Sequence, residues 1–280
     1  RNTPAMTNGI FTTALHLWGI ERAAFRLIAA RENLVFRVDH KKTSYALRLR
    51  RKGYRTDAEL WSELEWIQAT THGGLGVPTP ICSTSWKFFY VINGVQVDGV
   101  SWLPGHPIGK TGAPLKIPDR IGLFQHIGCE MARLHNISDQ WTPPAGFTRC
   151  AWDRKGLLGD TPVWNRFWEN PTLSKADQSL FGEIREATDQ DLAQIEHHLD
   201  FGLIHADLVR ENILTSSDFL NLIDFDDGGF GFRLFDLATT LLKNRPEKNY
   251  PALRTALTDG YRSIREIDLT ALDLFILLRS

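Results

Sequence analysis

Apolar and polar residues alternate in the first part of the chain and follow helical intervals in much of the second. Residues 23–51 contain three runs rich in Val, Leu, Phe and Tyr, namely AAFRLIA, LVFRVD and SYALRLR, separated by polar connectors. This alternation predicts a small antiparallel sheet. The following segment, DAELWSELEWIQAT, has apolar residues at helical spacing, with Asp57 as the predicted helix cap. Glu63 borders the face of this helix that we expect to be buried.

The pattern changes after a Pro-rich break and a predicted hairpin, KFFYVINGVQVDGVSWL. The next segment, PGHPIGKTGAP, is dense in Gly and Pro, which favours a boundary. We therefore predict an N-terminal domain over residues 1–100 and a C-terminal domain over residues 101–280. Helical periodicity dominates the second domain, and residues 202–226 return to short strands. The pattern predicts an α+β protein with a small antiparallel-sheet lobe and a larger, mainly helical lobe that holds a small embedded sheet.

Composition narrows the class of protein. The formal net charge is -1 and the pI is near 6.8, so we expect neither a nucleic acid nor an anionic membrane as partner. The three cysteines are widely spaced without a C-x-x-C pair, which favours reduced thiols and a cytoplasmic location. No apolar run reaches the roughly 20 residues that span a bilayer. The start, RNTPAMTNGIF, lacks the basic segment and apolar core of a secretory leader.

A polar segment between two apolar runs carries the candidate chemistry. GLIHADLVRENIL, residues 202–214, contains H-x-D-x-x-x-x-N, a motif whose carboxylate orients an accepting hydroxyl and whose amide holds a metal ion. Twelve residues beyond Asn212, Asp224 ends the apolar run of LIDFDD. Carboxylate and amide oxygens suit Mg²⁺, and ATP phosphates complete its shell. We therefore predict Asp207 as the base and Asn212 and Asp224 as Mg²⁺ ligands.

These residues also have plainer interpretations. His205 is equally well explained as a buried side chain that braces the loop. Asp207 and Asn212 are common turn formers, and Asp224 is a candidate strand cap. Turn chemistry does not explain why the two motifs occur in order, so their combination favours phosphoryl transfer.

The first domain offers a cation for the phosphates. Arg48 in YALRLR stands where the kinase motif V-A-I-K has its Lys, and Glu63 is its predicted partner. The alternative is a solvated basic strand, because residues 41–56 contain seven Lys or Arg and no acid. AARENL, between the first two strands, has no glycine, so Asn33 or Arg31 are the candidates for phosphate contact there.

Together these motifs resemble the aminoglycoside phosphotransferase and choline kinase superfamily, particularly its homoserine-kinase-type-II-like branch. The resemblance extends over nearly the whole chain, through YALRLRR, SELEWIQA, SWLPG, ARLHNIS, HADLVRENIL and LIDFDDGGFGFRLFDLATTL. It implies a bilobal protein-kinase-like fold, ATP and Mg²⁺ as cofactors, and the roles already assigned to the motif residues.

The resemblance adds two assignments and shows two departures. It implies that backbone near Val100 to Trp102 receives adenine, and that Asp236 in FDLA braces the loop of the H-x-D motif. Arg48 replaces the usual Lys, and Ala206 occupies a position where Gly is common. Neither departure removes a group that phosphoryl transfer requires.

We expect the acceptor to be a small molecule. Protein kinases carry a long activation segment, closed by A-P-E, after the metal-binding Asp, whereas LFDLATTL follows Asp224 within a dozen residues. Trp152, Trp164, Trp168 and the acidic run EATDQDLAQIEHHLD favour an amine-bearing acceptor. Each Trp is nevertheless more often a core residue, and an acidic run is often a solvated helix face.

The sequence thus predicts an ATP- and Mg²⁺-dependent kinase that phosphorylates a hydroxyl of an amino alcohol, hydroxy amino acid or aminoglycoside. A protein Ser/Thr kinase of the same superfamily and a catalytically silent nucleotide-binding scaffold are the alternatives.

Overall fold

The structure is a computed structural model that describes residues 5–30, 33–216 and 219–280. The chain divides into two compact units. The first unit comprises Arg1–Pro104 and Pro143–Thr148, and the second comprises Gly105–Thr142 and Arg149–Ser280. The boundary predicted from the sequence lay after residue 100, whereas the first unit continues to Pro104 and includes a later short segment.

The first unit is built on a five-stranded antiparallel sheet, as predicted. Its strands lie in the order β1-β2-β3-β5-β4. The sheet and its two helices comprise α1 (Ala5–Leu17), β1 (Ala24–Ala30), β2 (Leu34–His40), β3 (Thr43–Leu49), α2 (Asp57–His72), β4 (Phe89–Ile92) and β5 (Val95–Ser101). Buried side chains of β2, β3 and β5 form the core with α1.

Two features of these helices differ from the sequence analysis. Helix α1 was not predicted, although its buried residues Ile10, Phe11 and Ala14 follow the helical spacing that reveals such an element. The predicted cap of α2 at Asp57 is wrong. Thr56 is the N-cap: its hydroxyl accepts from the Glu59 amide at 3.2 Å, and the Glu59 carboxylate accepts from the Thr56 amide at 2.8 Å. This reciprocal capping box satisfies two amide donors that Asp57, already inside the helix, cannot reach.

The second unit is mainly helical and contains two small sheets. Their strand orders are β10-β9-β6 and β7-β11-β8, so the short strands predicted over residues 202–226 are divided between two sheets. Its elements are β6 (His106–Pro107), α3 (Arg120–Gln140), β7 (Ala151–Trp152), α4 (Arg154–Leu158), α5 (Lys175–Ile195), β8 (Phe201–Ile204), β9 (Ile213–Thr215), β10 (Leu220–Leu222), β11 (Gly229–Phe232), α6 (Arg233–Leu242), α7 (Tyr250–Arg262) and α8 (Leu272–Arg279).

The tightest helix contact of this unit joins α3 and α7, and two glycines permit it. A Cβ at Gly128 would lie 2.1 Å from the Leu257 carbonyl oxygen, and one at Gly260 would lie 2.0 Å from the Gln125 carbonyl oxygen. Only glycine allows the two backbones to approach this closely. No helix of the described residues is long and apolar enough to cross a membrane.

Candidate active site

The loop that carries the H-x-D motif is held by one buried carboxylate. Asp236, in the first turn of α6, accepts from the His205 amide at 2.9 Å and from the Ala206 amide at 2.7 Å. Ala206 has a φ of 65°, a left-handed conformation that costs an L residue roughly 1–2 kcal/mol. The two bonds to Asp236 hold the loop in this conformation, which is the bracing role expected for this residue.

The His205 side chain ties the loop to the segment that precedes Asp224. The imidazole Nε2 donates to the Ile223 carbonyl oxygen at 3.0 Å, and Nδ1 accepts from the Asp207 amide at 3.3 Å. The ring is fully buried and its centroid lies 4.5 Å from that of Phe225. Of its two interpretations, the structural brace is therefore the one that the contacts support.

Asp207 and Asn212 are brought together by the short 3-10 turn Arg210–Asn212. Asn212 Nδ2 donates to Oδ2 and to the backbone oxygen of Asp207, both at 2.9 Å. The amide group thus fixes one carboxylate oxygen, which explains the five-residue spacing of the motif. In the described part of the chain, Oδ1 of Asn212 makes no hydrogen bond, so this oxygen is available to another ligand.

The segment that ends at Asp224 runs beside this pair. The Ile223 amide donates to the Asn212 carbonyl oxygen at 2.9 Å, which places the next residue near the motif loop. Asp224 has a φ of 68°, and its side chain is exposed. The left-handed backbone turns the chain sharply at the end of the apolar run.

These oxygens fit a hard divalent cation. A carboxylate from Asp224 and the amide oxygen of Asn212 match the preference of Mg²⁺ for a few protein oxygens together with water and phosphate. Among residues 5–30, 33–216 and 219–280, no group of three or more His, Cys, Asp or Glu side chains could hold a metal ion.

Arg149 fixes the loop that follows Asp224, and the sequence analysis missed it. Its Nε donates to the Gly228 carbonyl oxygen at 2.6 Å, and its Nη2 donates to those of Asp226 and Phe225 at 2.6 and 3.1 Å. Arg149 stands alone in GFTRCAW, so no sequence pattern reveals this contact.

Asp207 also contacts a cation that the sequence analysis did not identify. Arg279 Nη2, from the end of α8, donates to Oδ1 of Asp207 at 3.0 Å, and the guanidinium carbon lies 4.5 Å from the centroid of the Trp164 ring. Burial raises the pKa of Asp207, and the charge of Arg279 opposes this shift. Burial also lowers the pKa of Arg279. The two residues lie 72 positions apart, so local patterns cannot pair them.

In the first unit, Arg48 belongs to a buried cluster of two arginines and two acids. Arg48 Nη1 lies 3.4 Å from Glu63 Oε1, and Arg48 Nε donates to Asp98 Oδ1 at 2.7 Å. Arg50 binds the same acids, with its Nη2 2.7 Å from Glu63 Oε1 and its Nε 2.7 Å from Asp98 Oδ2.

This cluster decides between the two interpretations of the basic strand. Arg48 and Arg50 are only 7% and 6% exposed, so the solvated-strand alternative is wrong for both. The predicted pair of Arg48 with Glu63 is present, but Arg50 holds Glu63 more closely. Asp98 was missed because it meets Arg48 across the β3–β5 ladder, which sequence spacing does not encode.

The other residues predicted to bind nucleotide lie in the strands of the same sheet or next to them. Asn33 Oδ1 accepts from the Arg51 amide at 2.9 Å, and Arg31 lies outside the described residues. Val100 pairs with Ala46 in the β3–β5 ladder. The Trp102 amide donates to the Ser44 carbonyl oxygen at 3.1 Å.

The three tryptophans that favoured an amine-bearing acceptor differ in their surroundings. Trp152 is fully buried and stacks on Phe235 with a centroid distance of 5.6 Å. Trp168 is buried, and the guanidinium carbon of Arg185 lies 4.3 Å from its ring centroid. Trp164 alone among the three is exposed, and it lies against Arg279.

The acidic run is largely engaged with arginines. Asp189 and Glu196 bind Arg154 at 2.9 and 3.1 Å, and Asp200 binds Arg265 at 2.8 Å. These acids therefore join elements of the second unit to one another. A solvated helix face, the alternative given in the sequence analysis, does not describe these three residues, because all three form ion pairs.

Known proteins resemble this chain in sequence and in fold. Residues 25–275 match the phosphotransferase enzyme family, APH. The chain belongs to this family. A microcompartment-associated aminopropanol kinase of solved structure is 28% identical, with a TM-score of 0.81 over 97% of this chain and 86% of that one. A solved amicoumacin kinase in complex with AMP-PNP, Ca²⁺ and Ami is 22% identical, with a TM-score of 0.76 over 97% and 83% of the two chains.

A curated relative extends the comparison. The homoserine kinase of Neisseria meningitidis is 29% identical over 204 residues, which are 69% of this chain and 59% of that protein. The chain thus spans less than two thirds of this relative's length. Family membership confirms the predicted resemblance, the α+β kinase-like fold and a phosphotransferase enzyme.

Proposed function

We propose that this family member is an ATP- and Mg²⁺-dependent kinase that transfers the γ-phosphate to a hydroxyl of a small molecule. The observation that supports this proposal is the arrangement of the motif loop. The Asp207 carboxylate accepts from Asn212 Nδ2 at 2.9 Å, and the neighbouring segment ends at Asp224. The acceptor classes are an amino alcohol, a hydroxy amino acid or an aminoglycoside. Similarity to an aminopropanol kinase and a homoserine kinase supports the first two.

Asp207 would act as the base. Its carboxylate would accept a hydrogen bond from the acceptor hydroxyl and orient that oxygen toward the γ-phosphorus atom. As the new O–P bond forms, the bond from this phosphorus to the bridging oxygen breaks, ADP leaves and Asp207 takes the hydroxyl proton. Burial raises the pKa of Asp207, which strengthens the carboxylate as a proton acceptor. Asn212 and Asp224 would hold Mg²⁺, which when bound would neutralise charge on the transferred phosphate.

Arg48 is proposed to contact the ATP phosphates, with Glu63 as its partner. Its guanidinium shares Glu63 and Asp98 with Arg50, so both arginines contact the same two acids in a buried site. Two acids on rigid elements hold the Arg48 guanidinium in one orientation, from which its positive charge would act on the phosphates. Asn33 is a further candidate for phosphate contact.

Adenine is proposed to lie at the backbone from Val100 to Trp102. The amides of Ser101 and Trp102 already donate to the carbonyl oxygens of Thr79 and Ser44. The Leu103 amide is therefore the next donor along this segment that a base could use.

A small acceptor is favoured over a protein. Residues 225–232 alone separate Asp224 from α6, which leaves no room for the long segment on which protein kinases dock peptides. A cytoplasmic location remains a prediction from the sequence.

The test is a coupled ATP-consumption screen in the presence of Mg²⁺ over aminopropanol, ethanolamine, choline, homoserine and aminoglycosides. We expect one class to stimulate ATP use and Asp207→Asn to abolish the stimulation. The control is Asp273→Asn, since that carboxylate is 75% exposed and lies outside the proposed site. Full stimulated activity in Asp207→Asn would overturn the proposal. Labelling of mixed proteins by labelled ATP would favour a protein kinase, and ATP binding without any turnover would favour a scaffold.

A further inference from the structure

Arg279 makes three directed contacts at the edge of the proposed active site. Its Nη2 donates to Oδ1 of Asp207 at 3.0 Å, its Nε donates to Thr239 Oγ1 at 3.1 Å, and its planar group covers the Trp164 ring at 4.5 Å. We propose that Arg279 is a positioning residue that sets the orientation of the Asp207 carboxylate. The inference rests on the proposed role of Asp207 as the base.

The guanidinium is held from several directions. Thr239 donates its own hydroxyl hydrogen to the Phe235 carbonyl oxygen at 2.8 Å, so its Oγ1 presents a lone pair to Arg279. The side chain of Arg279 is only 14% exposed. A planar fork with two of its three nitrogens bonded and one face covered cannot rotate without losing several contacts. It is therefore a fixed reference point for the carboxylate.

Asp207 needs such a reference point because Asn212 binds only one of its carboxylate oxygens. Asn212 Nδ2 lies 2.9 Å from Oδ2, and Arg279 Nη2 lies 3.0 Å from Oδ1. A carboxylate offers about four lone-pair positions, so the two donors leave positions for an acceptor hydroxyl. With both oxygens bound, the plane of the carboxylate is fixed before the acceptor arrives. With Arg279 removed, the plane can turn about the remaining bond.

The competing explanation is that Arg279 only ties α8 to α6 through Thr239. The chain contains a matched control for this explanation on the same helix. Arg254 of α7 donates to Asp273 of α8 at 2.6 and 3.1 Å. Loss of this pair weakens the attachment of α8 without touching Asp207.

The experiment compares Arg279→Ala, Arg279→Lys and Arg254→Ala, measured with aminopropanol and homoserine as added acceptors and with water as the acceptor in slow ATP hydrolysis. We expect Arg279→Ala to lower kcat on the order of 100-fold, as misplacement of a catalytic group does, with the KM values for ATP and acceptor changed only a few-fold. Arg279→Lys should retain part of the rate. Millimolar guanidinium should restore part of kcat in Arg279→Ala and leave Arg254→Ala unchanged.

Other results would overturn either the positioning role of Arg279 or the proposed function. If Arg279→Ala loses thermal stability but keeps kcat in the folded protein, the positioning role is overturned while the function of Asp207 stands. If the KM for the acceptor rises and kcat stays unchanged, the positioning role is also overturned, because a positioning residue acts on kcat. An inactive wild-type protein, or an active Asp207→Asn variant, would instead refute the proposed function itself.

Discussion

Replacing Asp236 with Asn measures how strongly one carboxylate holds the loop of the H-x-D motif. Asp236 is fully buried and accepts three hydrogen bonds, from the His205 amide at 2.9 Å, the Ala206 amide at 2.7 Å and His135 Nε2 at 3.0 Å. Asn has nearly the same shape but keeps only one acceptor oxygen. At least one buried donor therefore loses its partner, and the other bonds lose the negative charge.

The expected cost follows from these contacts. A buried donor without a partner costs about 1–3 kcal/mol, and each bond to a charged group contributes about 1.5–3 kcal/mol. The variant no longer has to bury an ionised carboxylate, and the absence of this desolvation cost offsets part of the loss. We expect the free energy of unfolding to fall by roughly 3 kcal/mol, which lowers the melting temperature by about 6–12 °C.

The assay is urea unfolding followed by circular dichroism, together with ATP consumption at a temperature where both proteins are folded. Asp273→Asn is the control, because its ion pair is largely exposed and such pairs contribute only about 0.2–1 kcal/mol. Activity should fall further than the folded fraction, since the loop loses the bonds that hold Ala206 at positive φ. An unfolding free energy for Asp236→Asn no lower than that of the control would refute this account of the loop.

Three further predictions concern stability. Ala206→Gly should change the unfolding free energy by less than about 0.5 kcal/mol in urea titrations, because relief of the left-handed strain offsets the lost methyl group. The control is the same substitution at Ala132, which is buried in a helix. There it should cost about 1–2 kcal/mol. Asp98→Asn should destabilise by about 3–5 kcal/mol, since it leaves two buried arginines with one acid; a loss under 1 kcal/mol would contradict this. Burial lowers the pKa of His135 to about 4, below the unfolded value of about 6.5, so the unfolded chain binds more protons between these values. Stability should therefore decline as pH falls from 6.5 toward 4, and His135→Gln should reduce that decline in acid titrations.

The motif that carries the proposed catalytic residues was readable in the sequence because it is local. The motif spacing places Asp207 and Asn212 on one short loop, and a turn of that length brings the amide of one against the carboxylate of the other. The apolar run before Asp224 likewise ends where the chain turns. Strand alternation around Arg48 predicted the sheet.

Contacts between distant segments could not be read in this way. Asp98 meets Arg48 because two strands pair in a particular register. Arg149 reaches three carbonyl oxygens in a loop more than seventy positions away. The prediction of the α2 cap was wrong for a local reason. Thr56 and Asp57 are both residue types that favour the N-cap position, and the backbone geometry selected Thr56.

The sequence by itself determined the antiparallel sheet of the first unit, the mainly helical character of the second, the family that the chain resembles and the loop that carries the proposed base, since periodicity and motif spacing act over a few residues. Only the tertiary structure decided which of three tryptophans remains exposed and that the acidic run pairs with arginines. The same holds for the surroundings of Asp207. Its second oxygen is bound by Arg279, 72 positions away, because the packing of α8 against α6 closes that distance, and no local preference of the chain specifies it.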